Sequence, residues 1–326
     1  MKKLLAITII LLLVGMSISS VISKPLASKN VIMVDDEGDG DYTSIEEALN
    51  NANPGDTIEV YSGTYYEYDI DIETEEITLK GIPYELGNGN DTGKPLIHGQ
   101  GLGKVMRIWA QGFTITGFRI ENGGGTLACG IIGTRKGADN CVISDNDISH
   151  AITGCVGIIS NNNRIINNNI SHSTIRQGIA LGEQCRNNTI SGNVITDVDT
   201  GILLWESNNN NITGNTIIRC SDFGIDVAGS YNKIIGNHIE DNDIGVQIWN
   251  FFNSVKRNNF IDNELHAQFI YGIPLLQRLT NIWIGNYWGR PRLLPYPILG
   301  LLVLLPIVQF DWRPALLPHN IGGSIE

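Results

Sequence analysis

The chain has 326 residues, a formal net charge of −12 and no basic cluster. That excludes nucleic acid as a partner, because phosphate neutralisation needs grouped Lys and Arg, and it disfavours a polyanionic substrate unless positive residues are concentrated locally. Composition is globular, but 37 glycines and an Asn-rich middle point to a repeat rather than an ordinary core.

The N-terminus reads as an export signal. Lys2 and Lys3 form a short positive region, an apolar run follows from Leu4 to about Ile18, and Val21 and Ser23 suit the positions before a signal-peptidase cut. Residues 1–23 are therefore expected to be a signal peptide, with an uncleaved anchor as the alternative. Gly15, Ser17, Ser19 and Ser20 weaken the run as a span. On either reading the body lies outside the cytoplasm, in an extracellular, periplasmic or cell-surface setting. Membrane contact is expected only through an uncleaved N-terminal segment.

A helix comes next. Thr43 and Glu46 are spaced as a capping box, and Ile45, Ala48, Leu49 and Ala52 share one face. Pro54-Gly55-Asp56 ends the helix, and Thr57 to Tyr61 alternates as a first strand. Two insertions interrupt the later pattern: a polar loop over 83–95, and a stretch over 121–139 that includes Gly123-Gly124-Gly125.

The repeat is apolar-x-x-Asn-x-apolar. It reads Ile143, Asn146, Ile148; Ile165, Asn168, Ile170; Ile190, Asn193, Ile195; Ile212, Asn215, Ile217; Ile234, Asn237, Ile239; Val255, Asn258, Phe260; and Trp283, Asn286, Trp288. An earlier copy, Ile115, Phe118, Ile120, has Phe at the centre. Most steps are close to 22 residues, and no helical period runs through them. Each unit carries a second strand, beginning Gly157-Ile158, Gly178-Ile179, Gly201-Ile202, Gly224-Ile225 and Gly245-Val246. A short strand with one apolar side cannot bury that side alone. Coiling the chain stacks equivalent strands about 4.8 Å apart and merges their inward residues into one column. The expected fold class is all-β, a single-stranded parallel β-helix over 35–290, plugged at its start by the helix. The recurrent Asn is expected at a tight turn, bonded to neighbouring coils and tolerant of left-handed backbone.

Residues 291–326 leave the repeat and are expected to form an irregular C-terminal cap, broken by Pro295, Pro297 and Pro306 and anchored by Phe310-Asp311-Trp312. The five cysteines, Cys129, Cys141, Cys155, Cys185 and Cys220, include no C-x-x-C pair. An odd number leaves at least one thiol unpaired, and most are expected to be small buried residues.

Tyr42-Thr43-Ser44-Ile45, Pro54-Gly55-Asp56-Thr57-Ile58, Gly63-Thr64-Tyr65, Ile115-Thr116-Gly117-Phe118 and the Asn units together resemble the pectate-lyase-like superfamily of right-handed parallel β-helices. The ending, Asn286-Tyr287-Trp288-Gly289 with Phe310-Asp311-Trp312, is similar to NosD-type proteins, also described as carbohydrate-binding and sugar-hydrolysis repeat domains. The resemblance implies a right-handed coil and a carbohydrate partner. It does not carry over a catalytic set. The polygalacturonase set (Asn-Thr-Asp, paired Asp-Asp, Gly-His-Gly), the alginate-epimerase Asp-Pro-His-Asp and a pectate-lyase calcium and arginine constellation are not found. NosD-type relatives are associated with copper-enzyme maturation, and copper(I) takes Met and Cys ligands. Past the signal only Met33 and Met106 remain, with no His-x-His or Met-x-Met, so no metal or cofactor is expected.

Alternation then places the candidate site. With Ile202 and Leu204 inward, Trp205 points out; with Val246 and Ile248 inward, Gln247 and Trp249 point out; Asp226 and Ala228 lie on the coil between. Trp205 and Trp249 should stand two coils apart, roughly 10 Å, where indoles stack on sugar rings and Asp226 and Gln247 meet hydroxyls. Catalytic carboxylates would need to be about 5–10 Å apart. Glu206 with Asp226, and Asp222 with Asp243, are the candidate pairs. A further column, His150, His172, Asp197, Arg219, Asp241 and Asp262, reads as a solvated turn with mild charge pairing. The expected function is an exported β-helix that binds polysaccharide. A glycoside hydrolase or polysaccharide lyase of the same fold, and a structural or adhesive surface protein, remain alternatives. Oligomeric state is not readable.

Overall fold

A computed structural model describes residues 29–124, 132–173, 176–271, 280–302 and 305–321. Residues from Val31 onward form one compact unit, and the segment 1–23 expected to be an export signal lies outside the described residues. Among the described residues no helix is long and apolar enough to cross a membrane.

The chain winds as a parallel β-helix with three sheets. Sheet A has 11 strands from Val31–Val34 to Ile282–Ile284, sheet B has 10 from Thr64–Tyr65 to Tyr287–Trp288, and sheet C has 11 from Ile70–Ile72 to Leu305–Asp311. The expected units are vertical neighbours. Ile143 pairs with Ile115 and Ile165, and Ile148 with Ile120 and Ile170, all in parallel register. These residues are fully buried or within 1% of it. Each fully buried Ile contributes about 1.5–3 kcal/mol over an exposed one, which is why three-residue strands suffice once stacked.

The central Asn forms a buried ladder. Asn193 donates from its backbone N–H and from Nδ2 to Asn215 Oδ1, and Asn215 repeats both bonds to Asn237. The left-handed backbone expected at these Asn falls instead on the residue before: Asp145, Asn167, Gly192, Gly214, Gly236, Arg257 and Gly285. The bend precedes the ladder amide, which keeps ordinary φ and points inward. Two further ladders, not read from the sequence, run through Asn163, Asn188, Asn210, Asn232, Asn253 and Asn281, and through Asn242 and Asn263. Cys141 and Cys220 stand at the heads of these two ladders, each donating its N–H to the first Asn. All four described cysteines are buried and free, as expected; Cys129 lies outside the described residues.

Register corrects one alignment. Gly157 pairs with Ala180, so the equivalent of Gly178 is Cys155 rather than Gly157. Gly178, Gly201, Gly224 and Gly245 do form one file. A Cβ on Gly201 would lie 2.6 Å from Gly224 O and from Ile217 Cγ2, so no larger residue fits there.

The helix spans Ile45–Asn51 and buries Ile45, Ala48 and Leu49 in the core. Its cap is one residue later than expected. Ser44, extended at φ −122°, accepts from Glu47 N–H, while the Glu67 carboxylate takes the N–H groups of Ile45 and Glu46. The Thr43/Glu46 box does not form because a distant Glu supplies those acceptors.

The C-terminal segment is not irregular. Tyr296–Leu302 joins sheet C in parallel with Leu265–Tyr271, and Leu305–Asp311 folds back antiparallel as the edge strand. Pro306 sits on that edge, where no partner strand needs its missing N–H. Asp311, fully buried, accepts from Gly285 N, Asn286 N, Asn286 Nδ2 and Trp288 Nε1, which makes it the anchor. Trp288 stacks between Phe260 and Tyr296 at 4.6 and 4.1 Å and closes that end.

Candidate functional site

The candidate residues lie on the outward face of sheet C. Trp205 pairs across with Ala228, and the Asp226 position pairs with Leu203 on one side and Gln247 on the other. Trp205 is 52% exposed and Trp249 39% exposed. Trp249 Nε1 donates to Asp226 Oδ1 at 2.8 Å, which fixes the indole plane. Burial raises the Asp226 carboxyl to about 6, against the opposing bond from Trp249 and with added repulsion from Asp222. Gln247 is 3% exposed and accepts from Gln268. It is not free to meet a ligand, as the alternation had suggested, but supports the floor beside Asp226.

A third indole was missed. Trp109 is 49% exposed and strand register places it in the same outward file, four coils before Trp205; Arg135, its neighbour one coil on, stacks its guanidinium over the ring at 5.1 Å. Trp109 Nε1 donates to Asp71 Oδ1 at 2.9 Å, repeating the bond between Trp249 and Asp226 with the carboxylate again on the preceding coil. Arg107 grips Asp71 through Nε and Nη2. Burial opposes ionisation of Asp71, but Arg107 and Trp109 outweigh it and hold the carboxyl below its ordinary value. For Trp205 the equivalent position on the preceding coil is Ala180, so no carboxylate clamps it. Between Trp109 and Trp205, about 19 Å apart by strand spacing, the same file holds Arg135, Ile159 and Gly182, while the neighbouring file two residues back holds Gly133, Gly157 and Ala180.

The carboxylate pairs separate. Asp222 and Asp243 sit on adjacent coils in one file with Asp199, and Asp222 is raised first by burial and then by those two neighbours. Glu206 is exposed, in a left-handed turn at φ 49° beyond Trp205, whereas Asp226 lies opposite Leu203. Register therefore gives Glu206 no place beside Asp226. The turn column stacks as read: His150 and His172 rings are parallel at 5.2 Å, and Arg219 makes a two-bond pair with Asp197. All six residues of that column have positive φ.

The family model described as periplasmic copper-binding protein (NosD) matches residues 49–293. The chain belongs to the NosD family. No curated protein sequence matches it. Among solved structures, this NosD-family chain is similar to XylC in complex with xylose, at TM-score 0.59 and 13% identity over 87% of this chain and 73% of that one. It is also similar to a PL6 alginate lyase in complex with a trisaccharide, at TM-score 0.54 and 13% identity over 82% and 61%. A third is the catalytic domain of a GH87 α-1,3-glucanase in complex with nigerose, at TM-score 0.50 and 14% identity over 75% and 53%. The chain spans 61% and 53% of the lengths of the latter two. At these identities the likeness shows the parallel β-helix fold and nothing of activity.

Among the described residues, the buried sulfur groups do not fit copper(I). Met106 is fully buried in the core, and burial pushes the thiols of Cys141 and Cys185 up to about 11 and those of Cys155 and Cys220 up to about 12. Protonated core thiols are not metal ligands. Among the described residues, the groups of three with metal-binding spacing contain only carboxylates, which suit hard cations and not copper(I).

Proposed function

We propose that this NosD-family protein binds a neutral or weakly charged polysaccharide along the outward face of sheet C, with Trp205 and Trp249 stacking on sugar rings. The observation that carries the reading is two half-exposed indoles in one outward file, separated by one Ala, with one ring held in plane by Asp226. Trp109 extends the same file, and the step of about 4.8 Å per coil is comparable to the length that one sugar residue occupies in an extended glycan. Asp226 offers a hydroxyl acceptor beside Trp249. The sugar complexes of XylC, the PL6 lyase and the GH87 domain support the choice of ligand class. The family description as periplasmic supports an extracytoplasmic setting.

The test is retention of the purified protein on a glycan array and in polysaccharide-containing gels. Trp205→Ala and Trp249→Ala are each expected to weaken binding about tenfold, the equivalent of about 1.4 kcal/mol, and the double variant to abolish it. Unchanged retention by the double variant would refute the placement. One observation favours a second reading, a polysaccharide-cleaving enzyme: a carboxyl raised to about 6 at Asp226 on the same face. New reducing ends or unsaturated products from the bound glycan, lost in Asp226→Asn, would establish it. Neither binding nor turnover would leave a structural or adhesive role.

A further inference from the structure

Carboxylates from two loops converge near the N-terminal helix. Asp35, Glu37 and Glu85 present ligand atoms that all lie within 4.8 Å of one another, and so do Asp36, Glu37 and Asp91. Oxygens bound to one Ca²⁺ sit about 2.3–2.6 Å from it, so any two are at most about 5 Å apart. Each set therefore fits one coordination sphere, with Glu37 common to both. Acidic residues gather on many surfaces without an ion, but here two oxygens are buried and unsatisfied. Asp35 is 0% exposed; its Oδ2 accepts from Gly38 and Asp39 N–H at 3.1 and 3.0 Å, while its Oδ1 has no hydrogen-bond partner. Asp36 Oδ2 accepts from Thr64 N–H at 2.9 Å, and its Oδ1 is likewise buried without a partner. A buried carboxylate oxygen that faces other carboxylates and meets no donor is costly, and a cation is the group that satisfies several at once.

The surrounding backbone is shaped to these acids. A Cβ on Gly63 would fall 2.1 Å from Asp36 Oδ1, so the carboxylate rests on bare main chain. Glu85 is held in place by N–H groups of Leu86 and Asp91, and Asp39 accepts from Asn88 N–H across the two loops.

We propose that Asp35, Asp36, Glu37, Glu85 and Asp91 form a calcium site that clamps the polar loop around 83–93 to the loop over 35–41. The donors are all oxygens, which suits a hard cation. Several carboxylates drawn from two loops suit Ca²⁺ better than Mg²⁺, which keeps most of its water and demands a tighter octahedron. The clamp fastens the first coils of a solenoid whose ends must be closed.

The test uses the purified full chain, stripped with EDTA and titrated calorimetrically with CaCl₂, with thermal unfolding recorded in parallel. The expected result is saturable binding and a Tm several degrees higher at about 5 mM CaCl₂. Glu37→Gln and Asp91→Asn alter exposed side chains, so the fold is kept, and each is expected to weaken affinity about tenfold or more. No heat and no Tm shift with CaCl₂ overturns the proposal, as does unchanged affinity in both variants. A response to MgCl₂ or CuSO₄ as strong as that to CaCl₂ overturns the choice of ion.

Discussion

Replacing Asn215 by Ala tests the ladder at its middle. The Asn215 side chain accepts from Asn193 N–H and Asn193 Nδ2 at 3.0 Å each, and donates to Ile190 O and Asn237 Oδ1 at 3.0 and 2.9 Å. Asn237 Oδ1 keeps the Asn215 backbone N–H at 3.0 Å and is not orphaned. The truncation therefore strands the Asn193 N–H and one hydrogen of Asn193 Nδ2, while the Ile190 carbonyl keeps its place in the strand ladder. Asn193 and Asn215 are 0% exposed, so water does not replace the lost partner. At about 1–3 kcal/mol per buried unsatisfied group, the two stranded donors should cost about 2–6 kcal/mol. Urea unfolding measures it, with amide hydrogen exchange to locate it, because a stacked solenoid opens coil by coil. Thr213→Ala, on the outward side of the same coil, is the control and should stay within about 0.5 kcal/mol. A loss for Asn215→Ala no larger than the control would show that the amides follow the fold and do not hold it.

Two further outcomes complete the set. Asp226 is an acid whose pKa rises on folding from 3.8 to about 6, so the folded state prefers the protonated carboxyl. Its contribution to stability is greatest below the unfolded value and falls as pH rises through about 6. The difference in tryptophan emission between wild type and Asp226→Asn should titrate with that midpoint, and a midpoint near the ordinary carboxylate range would contradict the burial argument. Asp311→Ala strips the acceptor from buried donors on Gly285, Asn286 and Trp288. It should cost at least about 3 kcal/mol and lose exchange protection first in the 296–311 hairpin; unaltered protection there would remove Asp311 as the anchor.

The parallel β-helix was legible because its signal is translational. Ile at the same offset from Asn in successive units can only mean that equivalent strands share a column, and the pairing of Ile143 with Ile165 follows. Trp205 and Trp249 were legible for the same reason, since alternation within one strand sets direction. What escaped depended on interactions between distant segments. Trp109 lies before the 121–139 insertion, which broke the count that would have aligned it with Trp205. Gln247 points outward as alternation requires, yet Gln268 on the next coil covers it. Glu67 displaced the capping box from 22 residues away. Residues 296–311 read as irregular because prolines and continuous apolar residues hide the alternation of an edge hairpin. The calcium cluster joins loops that only the first coils bring together, so no local ligand motif announces it.

The Asn ladder has a direction. Every amide in it receives on the oxygen that faces the N-terminal coils and donates toward the next coil, as Asn258 does to Asn286. Aligned amide dipoles add, as they do along an α-helix, so the file presents a partial positive charge at its last member. Asp311 meets that charge with a carboxylate where another Asn would have passed the donors onward. A single acid thereby terminates the file, taking the donors that would otherwise be left open at its last coil.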